Sequence, residues 1–242
     1  MNRTIIIIPS RMTASRLKGK PLLEINKLPI ICHVLNKAKE TGIESFVATE
    51  DKEIIDAVEK NGGQAILTGK HKTGSDRIFE AFLKLKKKNI DFILNLQGDE
   101  PMIDPKDVLN LNKLMVKNNN DIGTLASEIK EEGILKNDNI VKVVTEKKLD
   151  YNNFSKAVNF SRKVISNNNI YHHIGIYCYK VSALKKFVNL SQTKDEIENN
   201  LEQLRALNNN IEVNVSLVKS SPIGVDTMED YLALKKIMEY KS

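Results

Sequence analysis

Tryptophan is absent from the 242-residue chain, cysteine appears twice, and no apolar run exceeds a handful of residues. A bilayer crossing needs roughly 20 consecutive apolar residues, so no membrane span is expected. The opening "MNRTIIIIPS" sets a charge before isoleucines, but its apolar stretch ends at Pro9, too short for the core of a secretory signal. Cys32 and Cys178 lie far apart with no metal-ligand spacing, which predicts two free thiols in a reducing compartment. These absences lead to the expectation of a soluble cytoplasmic protein. Its length suits one domain, 1–242, which buries roughly 70–75% of its unfolded surface without disulfides or structural metal.

Also missing is a basic stripe interleaved with aromatics. The net charge of +6 travels with Asn triplets at 118–120, 167–169 and 208–210, a bias spread along the whole chain. A nucleic-acid partner is therefore not expected, and anionic small substrates account better for the local cationic clusters. There is no internal repeat and no low-complexity linker.

What the chain does have is alternation. Residues 4–8 read as a buried strand, Pro29 opens an apolar-faced helix closed by Gly42, and "SFVATE" is the next strand. "DKEIIDAVEKNGG" is a helix with a Gly62–Gly63 stop, "QAILTG" a strand, and "SDRIFEAFLKLKKK" a helix. Residues 91–96 form a strand, and Asp104–Pro105 starts another helix. This pattern predicts a layered α/β fold with a largely parallel sheet. From 121 to 180 strands follow one another with little helix, which predicts an antiparallel insertion. Helices at 181–188 and 196–207, the strand "IEVNVSLV" and a helix from about Thr227, capped with Asp230, complete the chain.

Three polar clusters occupy strand ends, where open α/β sheets bind ligands. The first, residues 10–20, carries Arg11, Arg16, Lys18 and Lys20, four cations in ten residues that repel unless an anion sits among them. It reads either as a solvated basic turn or as a polyphosphate cradle, with Arg16 as fork, Lys20 as point charge and Gly19 giving close backbone approach. Walker spacing is absent. The second cluster, "QGDEP", offers Asp99 and Glu100: an acidic turn, or a carboxylate for Mg²⁺. In the third, "GVDTMED", Asp226 is either a helix cap or a second metal carboxylate opposite Asp99. In "YHHIGIYCY", alternation places His172, Ile174, Ile176 and Cys178 on the core face and turns His173 away from it. Across "NNLEQLRAL" and the residues just before it, Ile197, Leu201 and Leu204 form the buried stripe and leave Glu202 and Gln203 exposed.

Taken in order, "IIIIPSRMTASRLKGKPL", "HKTGSDR", "LNLQGDEP", "FSR", "HHIGIY", "LEQLR" and "GVDT" resemble the motifs of the 3-deoxy-manno-octulosonate (Kdo) cytidylyltransferase family, across nearly the whole chain. The resemblance implies a Rossmann-like nucleotidyltransferase fold with a mixed sheet, helices on both faces and a small antiparallel insertion. It also implies a homodimer, Mg²⁺, and the reaction CTP + Kdo → CMP-Kdo + pyrophosphate for the lipopolysaccharide inner core. Carried onto this chain, Arg11 lines the nucleotide pocket, Arg16 and Lys20 hold the triphosphate, and Arg77 meets the cytosine end. Gln97 lies at the sugar, Asp99 and Asp226 bind Mg²⁺, and Arg162, His173, Glu202 and Gln203 grip Kdo. Arg16, Lys20, Asp99 and Asp226 form the catalytic set.

This sequence departs from the family pattern at Ser10 and Lys18, usually Ala and Pro, and after Arg162, where "RKVISNNN" replaces an Ala followed by Ile-Pro. The acceptor therefore remains open among Kdo, its 8-amino derivative and a sialic acid. A catalytically silent nucleotide-binding regulator is the non-enzyme alternative.

Overall fold

The run Ile5–Ile8 has no polar side chain to place toward solvent, and β1 (Thr4–Ser10) accordingly lies buried on both faces. In the computed structural model, which describes residues 3–13, 17–164, 166, 168–219 and 221–240, the chain forms two compact units. The first holds residues 3–90, 94–108 and those from 222 on; the second holds 91–93 and 109–221.

In the first unit, β1 is followed by a two-residue hairpin, β2 (Glu24–Ile25) and β3 (Leu28–Pro29). Asn26 and Lys27 turn it with positive φ of 51° and 62°, the geometry that matches strand twist in a tight hairpin. Helix α1 (Ile30–Glu40) buries Ile30, Ile31, Val34, Leu35 and Ala38. β4 (Ser45–Thr49), α2 (Lys52–Lys60), β5 (Ala65–Leu67) and α3 (Gly74–Leu85) continue the alternation. β4 lies between β1 and β5, parallel to both, with Ser10 opposite Thr49 and Thr49 opposite Leu67. Parallel strands end on one edge, so the loops after Ser10, Thr49 and Leu67 gather there.

Helix α2 ends as the glycine pair requires. The Gly63 N–H reaches the Val58 carbonyl (2.9 Å) and the Gly62 N–H the Glu59 carbonyl (2.9 Å), with Gly62 left-handed at φ 68°. Gly63 also permits close packing: a Cβ there would stand 2.4 Å from Leu35 Cδ2 and 2.7 Å from Val58 Cγ1.

Next come β6 (Phe92–Asn95), wholly buried, and α4 (Pro105–Asn118), where Asp104 Oδ1 accepts from the Lys106 N–H. The second unit contains β7 (Ile122–Ser127), the short α5 (Glu132–Lys136), β8 (Lys142–Thr145), β9 (Ser155–Ser161) and β10 (Ile170–Lys180). Then follow α6 (Val181–Val188), α7 (Lys194–Asn199), α8 (Gln203–Asn208) and β11 (Val213–Val218). Its pairings close on themselves. β10 runs antiparallel to β7 and β8, β8 to β9, and β9 to β11, while β11 pairs with β7 in parallel. Each of these five strands thus has two partners within the ring, which removes its free edges, and β10 also pairs with β6. The strand-rich stretch expected from the sequence is present, with one parallel pair added by the later β11.

The single helix expected over 196–207 is two. Asn200 adopts a left-handed conformation (φ 52°) and ends α7. Thr193 and Glu196 cap α7 reciprocally, and Glu196 also pairs with the fully buried Arg205 of α8, whose Nε donates at 2.8 Å. That ion pair folds α8 back against α7. Helix α9 (Met228–Tyr240) returns to the first unit, where Leu234 joins Leu17, Ile25, Ile30 and Val225 in one apolar cluster. No helix among the described residues is long and apolar enough to cross a membrane.

Replacing Gly63 by Ala forces Leu35 and Val58 apart and is expected to cost about 1–3 kcal/mol. The check is a lowered urea midpoint at unchanged slope; an unchanged midpoint would mean the two side chains have room to give.

Candidate active site

The loops at the carboxyl edge of β1, β4 and β5, together with 97–99 and Asp226, enclose a cleft of about 270 Å³ within the first unit. Arg11, Lys20, Arg77, Gln97, Asp99 and Asp226 all line it. Six residues picked from four separate sequence motifs thus meet in one place. Arg16 lies outside the described residues.

The cleft is organised around one ammonium group. The Gly19 N–H closes on the Met12 carbonyl (3.1 Å), and Gly19 is left-handed at φ 71°. This turn delivers Lys20 into the first position of a short 3-10 helix, with Pro21 next. Lys20 is only 9% exposed. Its Nζ donates to Asp99 Oδ2 (2.6 Å), the Val225 carbonyl (2.6 Å) and Asp226 Oδ1 (3.4 Å). A lysine this deep is tolerated because both charge and donors are matched. The Val225 N–H, in turn, donates to the Asp99 carbonyl (3.0 Å), joining the two acidic loops by their backbones.

Asp226 is not the helix cap. Thr227 Oγ1 accepts from the Asp230 N–H (3.1 Å), while Asp230 Oδ2 accepts from the Thr227 N–H (2.8 Å) and the Asp226 N–H (3.1 Å). The expected capping pattern with Asp230 therefore holds, and the Asp226 carboxylate, half exposed, is turned to Lys20 instead.

Glu100 was visible in the sequence only as the neighbour of Asp99. Its Oε2 is buried with no hydrogen-bond partner. Burial first, then the Asp99 and Asp226 charges, raise its carboxyl to about 8, against the lowering effect of Lys20. Two carboxylates thus share the Lys20 ammonium, beside a Glu100 carboxyl that burial keeps largely protonated at neutral pH. Asp99 and Asp226 suit a hard divalent cation that completes its shell with phosphate oxygens rather than a closed protein cage. No group of three or more His, Cys, Asp or Glu among the described residues forms such a cage.

Arg77 lines the cleft but is 2% exposed, and its guanidinium is engaged. Nη1 donates to Thr68 Oγ1 (2.8 Å) and Nη2 to Glu50 Oε2 (2.9 Å), so Arg77 clamps the ends of β4 and β5 together. Glu50 and Thr68 escaped the sequence reading because they face Arg77 only across the sheet. So did His71, a cleft residue held by Glu80. The Glu80 carboxyl is lowered to about 2, first by Lys84, then by His71 and the Gly69 N–H, against partial burial. Arg11 is exposed at the rim, and the loop beside it is tied down by the Met12 N–H donating to Asp51 Oδ2 (2.7 Å).

The remaining expected site residues, Arg162, His173, Glu202 and Gln203, belong to the second unit. Arg162 is half-buried, with Nη1 donating to the Asn139 carbonyl (3.1 Å), and Glu202 is half-buried at the start of α8. Gln203, expected to be exposed, is buried, because the break at Asn200 rotates α8 relative to α7; the same break leaves Ile197 exposed. His173, expected on the face away from the isoleucines, is covered there. The register of β10 shifts between Ile174 and Tyr177, and side chains on both faces of the strand are covered. His173 is 8% exposed, edge-on to Phe160 (5.0 Å between centroids) and near Tyr177 (5.5 Å). Thr124 Oγ1 lies 2.7 Å from the Ile176 carbonyl and 3.1 Å from His173 Nε2. The hydroxyl proton goes to the carbonyl, so Nε2–H donates to Oγ1. Burial, then His172, lower the imidazole to about 3, so this ring is neutral at ordinary pH and a hydrogen-bonding rather than a charged group.

The chain resembles known proteins in both sequence and fold. The sequence matches the cytidylyltransferase family over residues 5–216. It is 41% identical to a 3-deoxy-manno-octulosonate cytidylyltransferase of Nitrobacter winogradskyi, covering 98% of this chain and 94% of that one. To a protein of the same name from Thermodesulfovibrio yellowstonii it is 42% identical, covering 97% and 98%. Among solved structures, a CMP:2-keto-3-deoxy-manno-octonic acid synthetase complexed with CTP superposes with a TM-score of 0.90 at 34% identity over 100% of both chains.

The neutral His173 carries a pH prediction. Above pH 6.5 the ring is uncharged both folded and unfolded and adds no pH dependence. Between 6.5 and about 3 the unfolded chain takes up a proton that the native site refuses, so stability falls as pH falls. The slope from this one group is about 1.4 kcal/mol per pH unit. Urea midpoints measured from pH 7 to 4 are expected to fall less steeply in His173→Gln than in the natural chain; parallel profiles would refute the assignment.

Proposed function

The chain belongs to the 3-deoxy-manno-octulosonate cytidylyltransferase family, and from that premise we propose that it transfers CMP from CTP to Kdo and releases pyrophosphate, supplying the lipopolysaccharide inner core. The observation that carries the reading is the meeting of Lys20 with Asp99 and Asp226 in a strand-end cleft rimmed by Arg11. Family relatives named for this activity run the full length of the chain.

The anomeric hydroxyl of the sugar, giving up its proton to solvent, attacks the α-phosphorus. A new P–O bond forms in line with the departing bridging oxygen, and the electron pair of the broken bond leaves with pyrophosphate. Such a transfer asks for position and charge rather than covalent help from the protein. Arg11 and Lys20 provide cationic partners for the phosphates, and a lysine moved onto the β-phosphate stabilises the charge that grows there. Asp99 and Asp226 would hold Mg²⁺, which when bound would neutralise phosphate oxygens and favour the ionised hydroxyl. Gln97, within the same cleft, is the group closest in sequence to Asp99 that can hydrogen-bond an acceptor without adding charge. On the second unit, Arg162 and Glu202 offer charged contacts, and Gln203 and His173 neutral ones, for a carboxylated polyhydroxy acid. A cytoplasmic homodimer completes the reading, supported by the family resemblance and by the two free, buried thiols.

Pyrophosphate release from CTP and Mg²⁺, with Kdo, 8-amino-Kdo and N-acetylneuraminate in parallel, tests this directly. Release is expected with Kdo. Release with another acid alone would move the specificity, and silence with all three in a chain that binds CTP would favour a regulator. Lys20→Ala and Asp226→Asn are each expected to lower kcat by about 100-fold or more. Asp226→Asn should leave the thermal midpoint within a degree or two, whereas Thr227→Ala should cost roughly 1 kcal/mol of stability and leave turnover within a factor of three. Near-normal turnover in Asp226→Asn would reduce that carboxylate to a partner of Lys20 alone.

A further inference from the structure

Lys20 stands where its expected role does not put it. A triphosphate-binding lysine is expected to point at phosphate, yet here all three of its N–H donors have acceptors on the protein: Asp99 Oδ2 at 2.6 Å, the Val225 carbonyl at 2.6 Å and Asp226 Oδ1 at 3.4 Å. The backbone holds it there, with left-handed Gly19 before it and Pro21 after it. The two carboxylates it pairs with are those placed above to hold a divalent cation.

We propose that Lys20 is an internal counter-ion that occupies the carboxylate pair until nucleotide arrives, so that cation binding at Asp99 and Asp226 is conditional on the polyphosphate that draws the ammonium away. The inference rests on the assignment of Asp99 and Asp226 as the cation-holding pair. The three contacts are unequal, and their order gives the sequence of events. The link to Asp226 is the longest, and that carboxylate is 50% exposed against 29% for Asp99. An incoming phosphate oxygen takes the donor that Asp226 holds least tightly, and Asp226 becomes available to a cation while Asp99 stays paired longest. An ammonium left in place would sit within a few ångströms of a bound cation and repel it. Once the ammonium moves, the Asp99 and Asp226 carboxylates lose the Lys20 cation that both had paired with. That loss favours a divalent cation in its place. Linkage makes the effect reciprocal: the cation raises nucleotide affinity by the factor by which nucleotide raises cation affinity.

Mn²⁺ is the probe, titrated into the full chain without nucleotide and followed by the EPR signal of the free ion, so that turnover plays no part. Lys20→Met and Lys20→Gln are expected to bind one Mn²⁺ at least tenfold more tightly than the natural chain, and Mn²⁺ should raise their thermal midpoints and not that of the natural chain. The Gln variant keeps an N–H donor for the Val225 carbonyl, so one of the pair remains informative if the other folds poorly. Adding Asp226→Asn to either should erase the gain. Lys18→Met removes an exposed cation two residues away and should shift affinity less than twofold. Equal Mn²⁺ affinity in the natural chain and both Lys20 variants overturns the proposal. So does a gain in Lys18→Met as large as that in Lys20→Met, which would reduce the effect to net charge. Loss of cytidylyl transfer with every acceptor, beside a tenfold gain in Mn²⁺ binding, would sink the functional reading and leave the counter-ion standing.

Discussion

A buried ammonium must have its donors met, and at Lys20 that requirement joins carboxylates 79 and 206 residues away. Asp99 and Asp226 reach Lys20 only because the 97–101 loop and the start of α9 are pinned to each other by the Val225 N–H and the Asp99 carbonyl. Beneath that contact, Val225 and Leu234 pack with Leu17, Ile25 and Ile30, so the helix nearest the carboxyl end of the chain is anchored under the loop that presents Lys20. Apolar burial provides the driving force and the ion contacts set the register. The geometry of the cleft depends on both, and neither is local in sequence.

The two units treat buried polarity differently. In the first, charge is concentrated at a cleft and left partly accessible: Asp226 is half exposed, Asp99 less so, and Glu100 holds an unpartnered oxygen. In the second, Lys142 is buried with its Nζ on the Asn137 and Arg162 carbonyls. Arg205 is closed off by Glu196 and lies over the Phe187 ring at 4.7 Å, and His173 stays neutral among aromatic neighbours. Paired charges of the Arg205 kind hold a particular packing in place more than they add net stability, because desolvation offsets most of the attraction. Partly satisfied charges, by contrast, leave an opening for ligands and ions.

Local chemistry made much of the fold legible. The isoleucine run of β1, the Gly62–Gly63 stop, Asp104 before Pro105, and Thr227 with Asp230 each work within a few residues, and each does in the structure what its sequence suggests. Readings that leaned on uninterrupted periodicity went wrong where one residue broke it. Asn200 turns left-handed and splits a helix, which buries Gln203. An Asn in a polar run does not announce its conformation without the neighbours that enforce it. In β10 the alternation places His173, but that Phe160 and Tyr177 cover it is decided by packing.

The sequence by itself determined the alternation of elements, the strand-end location of three polar clusters, and, through seven ordered motifs, the family. Hydrophobic period, capping chemistry and motif order are properties of short stretches, and they survive being read one stretch at a time. Only the tertiary structure decided that Arg77 is bound to Glu50 and Thr68, that Thr227 rather than Asp226 caps α9, and that Lys20 pairs with carboxylates. Those outcomes turn on which acceptor lies within about 3 Å of a donor, and that distance is set by packing across the sheet and between loops rather than by spacing along the chain.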